Sequence, residues 1–142
     1  MPMHDSDDDS RVGKQPVDIA AVHHIALRSA DIEALAEFYG EVFDLAVVRD
    51  SRPRSLWLGI GDEAVLMIEA CSEAEPRIPA GSMELFALRT TEEGCRRIAE
   101  RARARGCHDG ETAWSVYLRD PEGRRCAASW YPLDRPPETS PR

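Results

Sequence analysis

The feature that most limits what this chain can fold into is an internal repeat. Ala26-Leu27-Arg28-Ser29-Ala30-Asp31 lines up with Ala87-Leu88-Arg89-Thr90-Thr91-Glu92, and each set closes an apolar run and leads straight into a helical pattern. A repeat fixes architecture before any single motif does, because each copy must build the same supersecondary unit. Six similar positions are a short match, so the unit itself has to be read from periodicity.

In the first copy, residues 22–28 form a strand-length apolar stretch running into Ser29-Ala30-Asp31, whose short polar side chains suit a helix cap. A helix is predicted from about Asp31. Ile32, Leu35, Phe38, Tyr39 and Val42 then recur at helical spacing, with Glu33, Glu37 and Glu41 on the other side, as far as Asp44. An apolar stripe of that kind has to cover a sheet. Three strands are predicted next, at 45–50, 55–60 and 64–70, separated by Arg52-Pro53-Arg54 and by the turn-prone Gly59-Ile60-Gly61-Asp62.

Residues 72–81, with Pro76, Pro79 and Gly81, break the periodicity and read as a linker. The second copy follows. A strand is predicted at 83–89, Thr90 with Glu93 makes a capping-box pattern, Cys95, Ile98, Ala99 and Ala102 give the helical stripe, and Gly106 is the stop. Strands are expected near 108–113, 114–119 and 125–131. The fold class is α+β: two βαβββ repeats, units 20–71 and 82–133 of one domain spanning 19–133.

At 142 residues, 42% of them hydrophobic, one domain with a sizeable core is the default. The net charge of -8, from 26 acidic against 18 basic side chains, disfavours nucleic acid and anionic membrane surfaces as partners. Asp5, Asp7, Asp8 and Asp9 place residues 1–18 in an acidic, disordered tail, and residues 134–142 read as a second tail. With no run of ~20 apolar residues and no signal-peptide pattern, the expected location is the cytoplasm. Cys71, Cys95, Cys107 and Cys126 are scattered, without C-x-x-C spacing, and read as reduced and mostly buried.

His24-Ile25-Ala26-Leu27-Arg28, Asp31 opening a helix that carries Phe38-Tyr39, and Tyr117-Leu118-Arg119-Asp120-Pro121-Glu122-Gly123 near the C-terminus together resemble the vicinal oxygen chelate superfamily of glyoxalases, bleomycin-resistance proteins and extradiol dioxygenases. The resemblance covers residues 20–133. It implies a cupped, mixed-sheet half-barrel with the helices on its outer face, a ligand on the inner face and a homodimer. Asp120-Pro121-Glu122-Gly123 itself reads as a hairpin turn.

Enzymes of this family hold a divalent metal with His, Gln or Glu from the first and last strand of each unit. Carried over position by position, those slots fall on His24, Met67, Leu85 and Ala127. Only His24 carries a suitable donor; a thioether, an isobutyl group and a methyl do not bind a hard cation. Glu69 shares the face of Met67 by strand alternation and could serve one step along; Glu84 opposes Leu85 and would need a register slip. No cofactor is therefore expected, with Ni, Mn, Fe or Zn on His24 and Glu69 as the alternative.

Trp57, Trp114, Tyr117, Trp130 and Tyr131 lie in predicted strands, where aromatics stack flat ligands or simply fill a core or an interface. Arg28 and Arg89 share faces with His24 and Leu85 and can grip an anion or sit solvated at the rim. His23 is expected beneath the helix, and His108 in a turn. Neither a nucleophile triad nor a phosphate loop can be assembled. The ligand-binding set is thus His24, Arg28, Trp57, Met67, Glu69, Leu85, Tyr117 and Ala127. The expected function is to hold a small organic ligand without the usual metal. The alternatives are a lyase, isomerase or dioxygenase with a reduced or rearranged metal site around His24 and Glu69, or with either of them acting instead as a general base, and a structural subunit with a filled cup.

Overall fold

The computed structural model describes residues 15–134, so almost all of both expected tails lies outside the described residues. The chain runs β1 (His24–Ser29), α1 (Ile32–Phe43), β2 (Val47–Ser51), β3 (Ser55–Ile60), β4 (Ala64–Ala70), β5 (Leu85–Arg89), α2 (Glu92–Arg105), β6 (His108–Glu111), β7 (Ser115–Arg119) and β8 (Arg125–Ser129). Among the described residues no helix is long and apolar enough to cross a membrane.

The helix boundaries follow from capping. Asp31 accepts from the backbone N–H of Ala34 at 3.1 Å, and Asp44 closes α1 in the left-handed region at φ 58°. In α2 the cap is Thr91, one residue later than the capping-box reading: its Oγ1 accepts from Gly94 N at 2.9 Å. Thr90 instead extends β5, donating its N–H to Ser129 O at 3.0 Å, and its side chain fills the space where a Cβ on Gly94 would collide. Glu93 does not fold back to the cap, because Arg96 and Arg97 hold its carboxylate.

Each unit builds one four-stranded mixed sheet, in the orders β1-β4-β3-β2 and β5-β8-β7-β6, with only the first pair of each parallel. The two sheets stay separate; no strand of one is hydrogen-bonded to a strand of the other. Alternation sorts their faces. Leu27, Leu56, Leu58, Leu66 and Ile68 are buried on the α1 side, and Val116, Leu118, Cys126 and Ala128 on the α2 side. The intervening residues face away from the helices. Both units feed a single apolar cluster, in which the ring of Tyr39 from α1 lies 6.1 Å from that of Phe86 in β5.

The turn after β7 joins the units as well as reversing the chain. Asp120, 4% exposed, accepts the Tyr39 hydroxyl at 2.8 Å and Arg124 Nη1 at 2.7 Å on Oδ2, and the backbone N–H groups of Glu122 and Arg124 on Oδ1. Burial and the neighbouring Cys126 and Asp120 hold the Tyr39 phenol well above its ordinary range, so it stays a donor. Glu122 accepts from Ser29 Oγ at 2.5 Å and Ala30 N at 3.1 Å, and Arg124 Nη2 reaches Arg28 O at 3.1 Å. Asp120→Ala leaves a buried phenol and guanidinium without their acceptor. It should cost about 3–5 kcal/mol, read as a shift in the urea midpoint; a loss below ~1 kcal/mol would show that the network contributes little.

Candidate functional site

The faces turned away from the helices carry the expected site residues, and strand register decides which of them meet. In the first unit His24 pairs with Val65, Ala26 with Met67 and Arg28 with Glu69, while Trp57 lies beside Met67 on its other side. Glu69 therefore does share the face of Met67. It stands four register steps from His24, about 13 Å at ~3.3 Å per residue, so the two do not converge on one ion.

Glu69 meets Arg28 instead. Arg28 Nη1 donates to Glu69 at 3.1 Å, while its Nε and Nη2 donate to Glu75 at 2.7 and 2.9 Å. The fork thus ties the linker across β1 and is not free for an anion. The guanidinium hydrogen bonds pull the Glu75 carboxyl down to about 2 from an ordinary 4.5. A group depressed on folding stabilises fully above its ordinary value and loses that contribution as the pH falls through the folded one. The tie should be complete above about pH 4.5 and come undone near 2. A carboxyl-carbon NMR titration checks this; a Glu75 midpoint near 4.5 would mean that the fork is not formed in solution.

In the second unit Leu85 pairs with Arg125, Ala87 with Ala127 and Arg89 with Ser129, and Tyr117 lies beside Ala127. The family positions are related identically in both units, because Met67 pairs two residues past His24 and Ala127 two residues past Leu85. The carry-over is thus self-consistent, and its donor set is one imidazole with a thioether, an isobutyl group and a methyl. Those residues do not fit a three-ligand divalent site. Among the described residues, no three His, Cys, Asp or Glu side chains gather at ligating distance.

What the faces do hold is guanidinium over aromatic ring. Arg49 lies 4.9 Å from the centroid of Trp57, and Arg125 lies 4.4 Å from that of Tyr117. Arg125 Nε also donates to Asp109 at 2.9 Å, and Arg119 Nε reaches the same carboxylate at 3.2 Å. The sequence reading named Trp57 and Tyr117 but missed Arg49, Asp109, Arg119 and Arg125. Alternation alone would have found Arg119 and Arg125, each two residues from a named position on its own strand.

Other expected residues lie elsewhere. His23 precedes β1, exposed rather than beneath the helix, with its Nδ1 3.0 Å from that of His24, itself exposed. Trp114, Trp130 and Tyr131 flank β7 and β8 outside the strands and pack on one another, with Trp114 and Trp130 centroids 4.3 Å apart. His108 opens β6 and meets Glu111 at 2.8 Å. Ser129 Oγ is taken by Ser115 Oγ at 2.7 Å. All four cysteines are free thiols, two of them buried, and burial pushes Cys126 up to about 12. A cavity of about 530 Å³ lies off the sheet faces, between β1, the linker and the Asp120 turn, touching them only at Ala26 and Arg28.

A family model described as Glyoxalase/Bleomycin resistance protein/Dioxygenase superfamily matches residues 21–126. No curated protein matches the chain. Similar solved structures include lactoylglutathione lyase from Agrobacterium tumefaciens, 21% identical, with a TM-score of 0.63 over 80% of this chain and 95% of that one. Oxidase ChaP-H2 is 19% identical, with a TM-score of 0.65 over 86% and 98%. The fosfomycin resistance protein FosX from Listeria monocytogenes is 17% identical, with a TM-score of 0.65 over 82% and 94%. At these identities the likeness is one of fold.

Proposed function

The chain belongs to the Glyoxalase/Bleomycin resistance protein/Dioxygenase superfamily, and from that membership together with its own donor set we propose that it holds a small organic ligand on its sheet faces without the superfamily's usual metal. The observation that carries this reading is the set His24, Met67, Leu85 and Ala127, in which one position of four offers a ligand atom. The form of the metal-dependent alternative in which His24 and Glu69 share a cation has the parallel register of β1 and β4 against it.

The ligand needs a second wall. Within one chain the faces opposite the helices are partly open, with His24, Ala26 and Arg28 exposed and Leu85 40% exposed, while Ala127 is buried. A homodimer that brings two such faces together supplies the cup and covers Leu85, at a gain of roughly 25 cal/mol per Å² of apolar surface. Membership leaves open whether the bound molecule is also turned over, because fold and function are separable. The cytoplasm is the compartment we assign on the same footing.

The protein purified without an affinity tag or chelator should carry metal well below one equivalent per chain by mass spectrometry. Reloading with Ni, Mn, Fe or Zn and the His24→Ala change should leave that value unmoved. Near-stoichiometric metal that disappears in His24→Ala would overturn the proposal and turn attention to lyase and dioxygenase substrates.

A further inference from the structure

We infer that the open face of the second unit binds a planar organic anion, an aromatic or conjugated carboxylate, and that the guanidinium of Arg125 is the group that holds its charge. This deepens the metal-free reading above and rests on it.

Arg125 is built into that face. Its guanidinium carbon lies over the Tyr117 ring, its Nε is fixed by Asp109, and its side chain is only 14% exposed. Its two Nη groups donate to nothing among the described residues, yet neither is sealed from the surface. A guanidinium held through Nε and against an aromatic ring, with its Nη edge unpartnered among the described residues, is organised in advance for bidentate capture of a carboxylate. Little side-chain entropy remains to be lost when it does so.

Its surroundings favour a flat, negative molecule. Beside Arg125 and Tyr117, the exposed side chains of Leu85 and Ala87 line β5, with Ala127 buried beneath them on β8. From the Leu85–Arg125 pair to the Arg89–Ser129 pair the face runs four residues, about 13 Å, which accommodates a fused ring system. The strand positions of this face set Arg89, Arg119 and Arg125 against Asp109 alone, in a chain whose net charge is -8. Arg89 has no ion-pair partner among the described residues. A local excess of positive charge on an acidic protein draws anions to that face. The first unit repeats the theme, since Arg49 over Trp57 has no carboxylate partner among the described residues either.

Calorimetric titration of the full chain in EDTA with 2-naphthoate and with the uncharged 2-naphthamide tests this. Naphthoate should bind at least tenfold more tightly. Arg125→Gln should abolish that preference while changing naphthamide affinity less than twofold. Arg125→Lys, which keeps a cation beside Asp109, should retain the fold and still lose most of the preference, because it lacks the planar fork. Equal affinities, no binding of either probe whether EDTA or a divalent cation is present, or a preference that survives both substitutions would overturn the inference. Naphthoate binding that EDTA abolishes and a divalent cation restores is a different failure, that of the metal-free reading itself.

Discussion

The buried carboxylate of Asp120 is the interaction on which the rest of this arrangement depends. It accepts from a tyrosine of α1 and an arginine of the second unit, and it shapes the turn that lets Glu122 reach the start of α1. A charge taken out of water is costly unless its lone pairs are met, and four donors meet these. The geometry is therefore stringent. Ion pairs between Arg101 and Asp44 and between Arg105 and Glu37 also join the two helices, but they lie in water and contribute far less. With the units fixed through their helix sides, the opposite sheet faces are left to hold something else.

Much of this fold was legible because its signals are local. Asp31, Asp44 and Gly106 end helices through their own side chains or φ values, and β3 and β4 run residue for residue as their alternation predicted. The misses share a different cause. Thr90 and Thr91 are equally good caps on paper, and Thr91 serves because the Thr90 N–H is drawn to Ser129 O on the adjacent strand. Asp120-Pro121-Glu122-Gly123 reads as a turn and is one, but its bonds to Tyr39 and Ser29 cross 81 and 93 residues and have no local signature.

The candidate site divides in the same way. Alternation put Glu69 on the face of Met67 correctly, since the side chains of a strand have a period of two. It said nothing of how far along the neighbouring strand His24 would fall. That distance depends on the parallel register, which no short motif encodes, and it separates the two residues of the metal-bearing alternative. The sequence leaves Arg28 either gripping an anion or solvated at the rim, and its bonds to Glu75 are invisible there because that carboxylate sits in a segment read as a linker.

What replaces an absent ligand set says something about the chemistry that can follow. A divalent cation attracts an anion and also polarises it, and it can hand a bound water's proton to a base near neutral pH. A guanidinium attracts and orients, yet it stays protonated throughout the accessible range and neither gives nor takes a proton. Arg125 can therefore supply position and charge but no acid or base, and the imidazole of His24 belongs to the other sheet. A proton moved on this face would have to pass through Tyr117 or Asp109, the groups packed against Arg125.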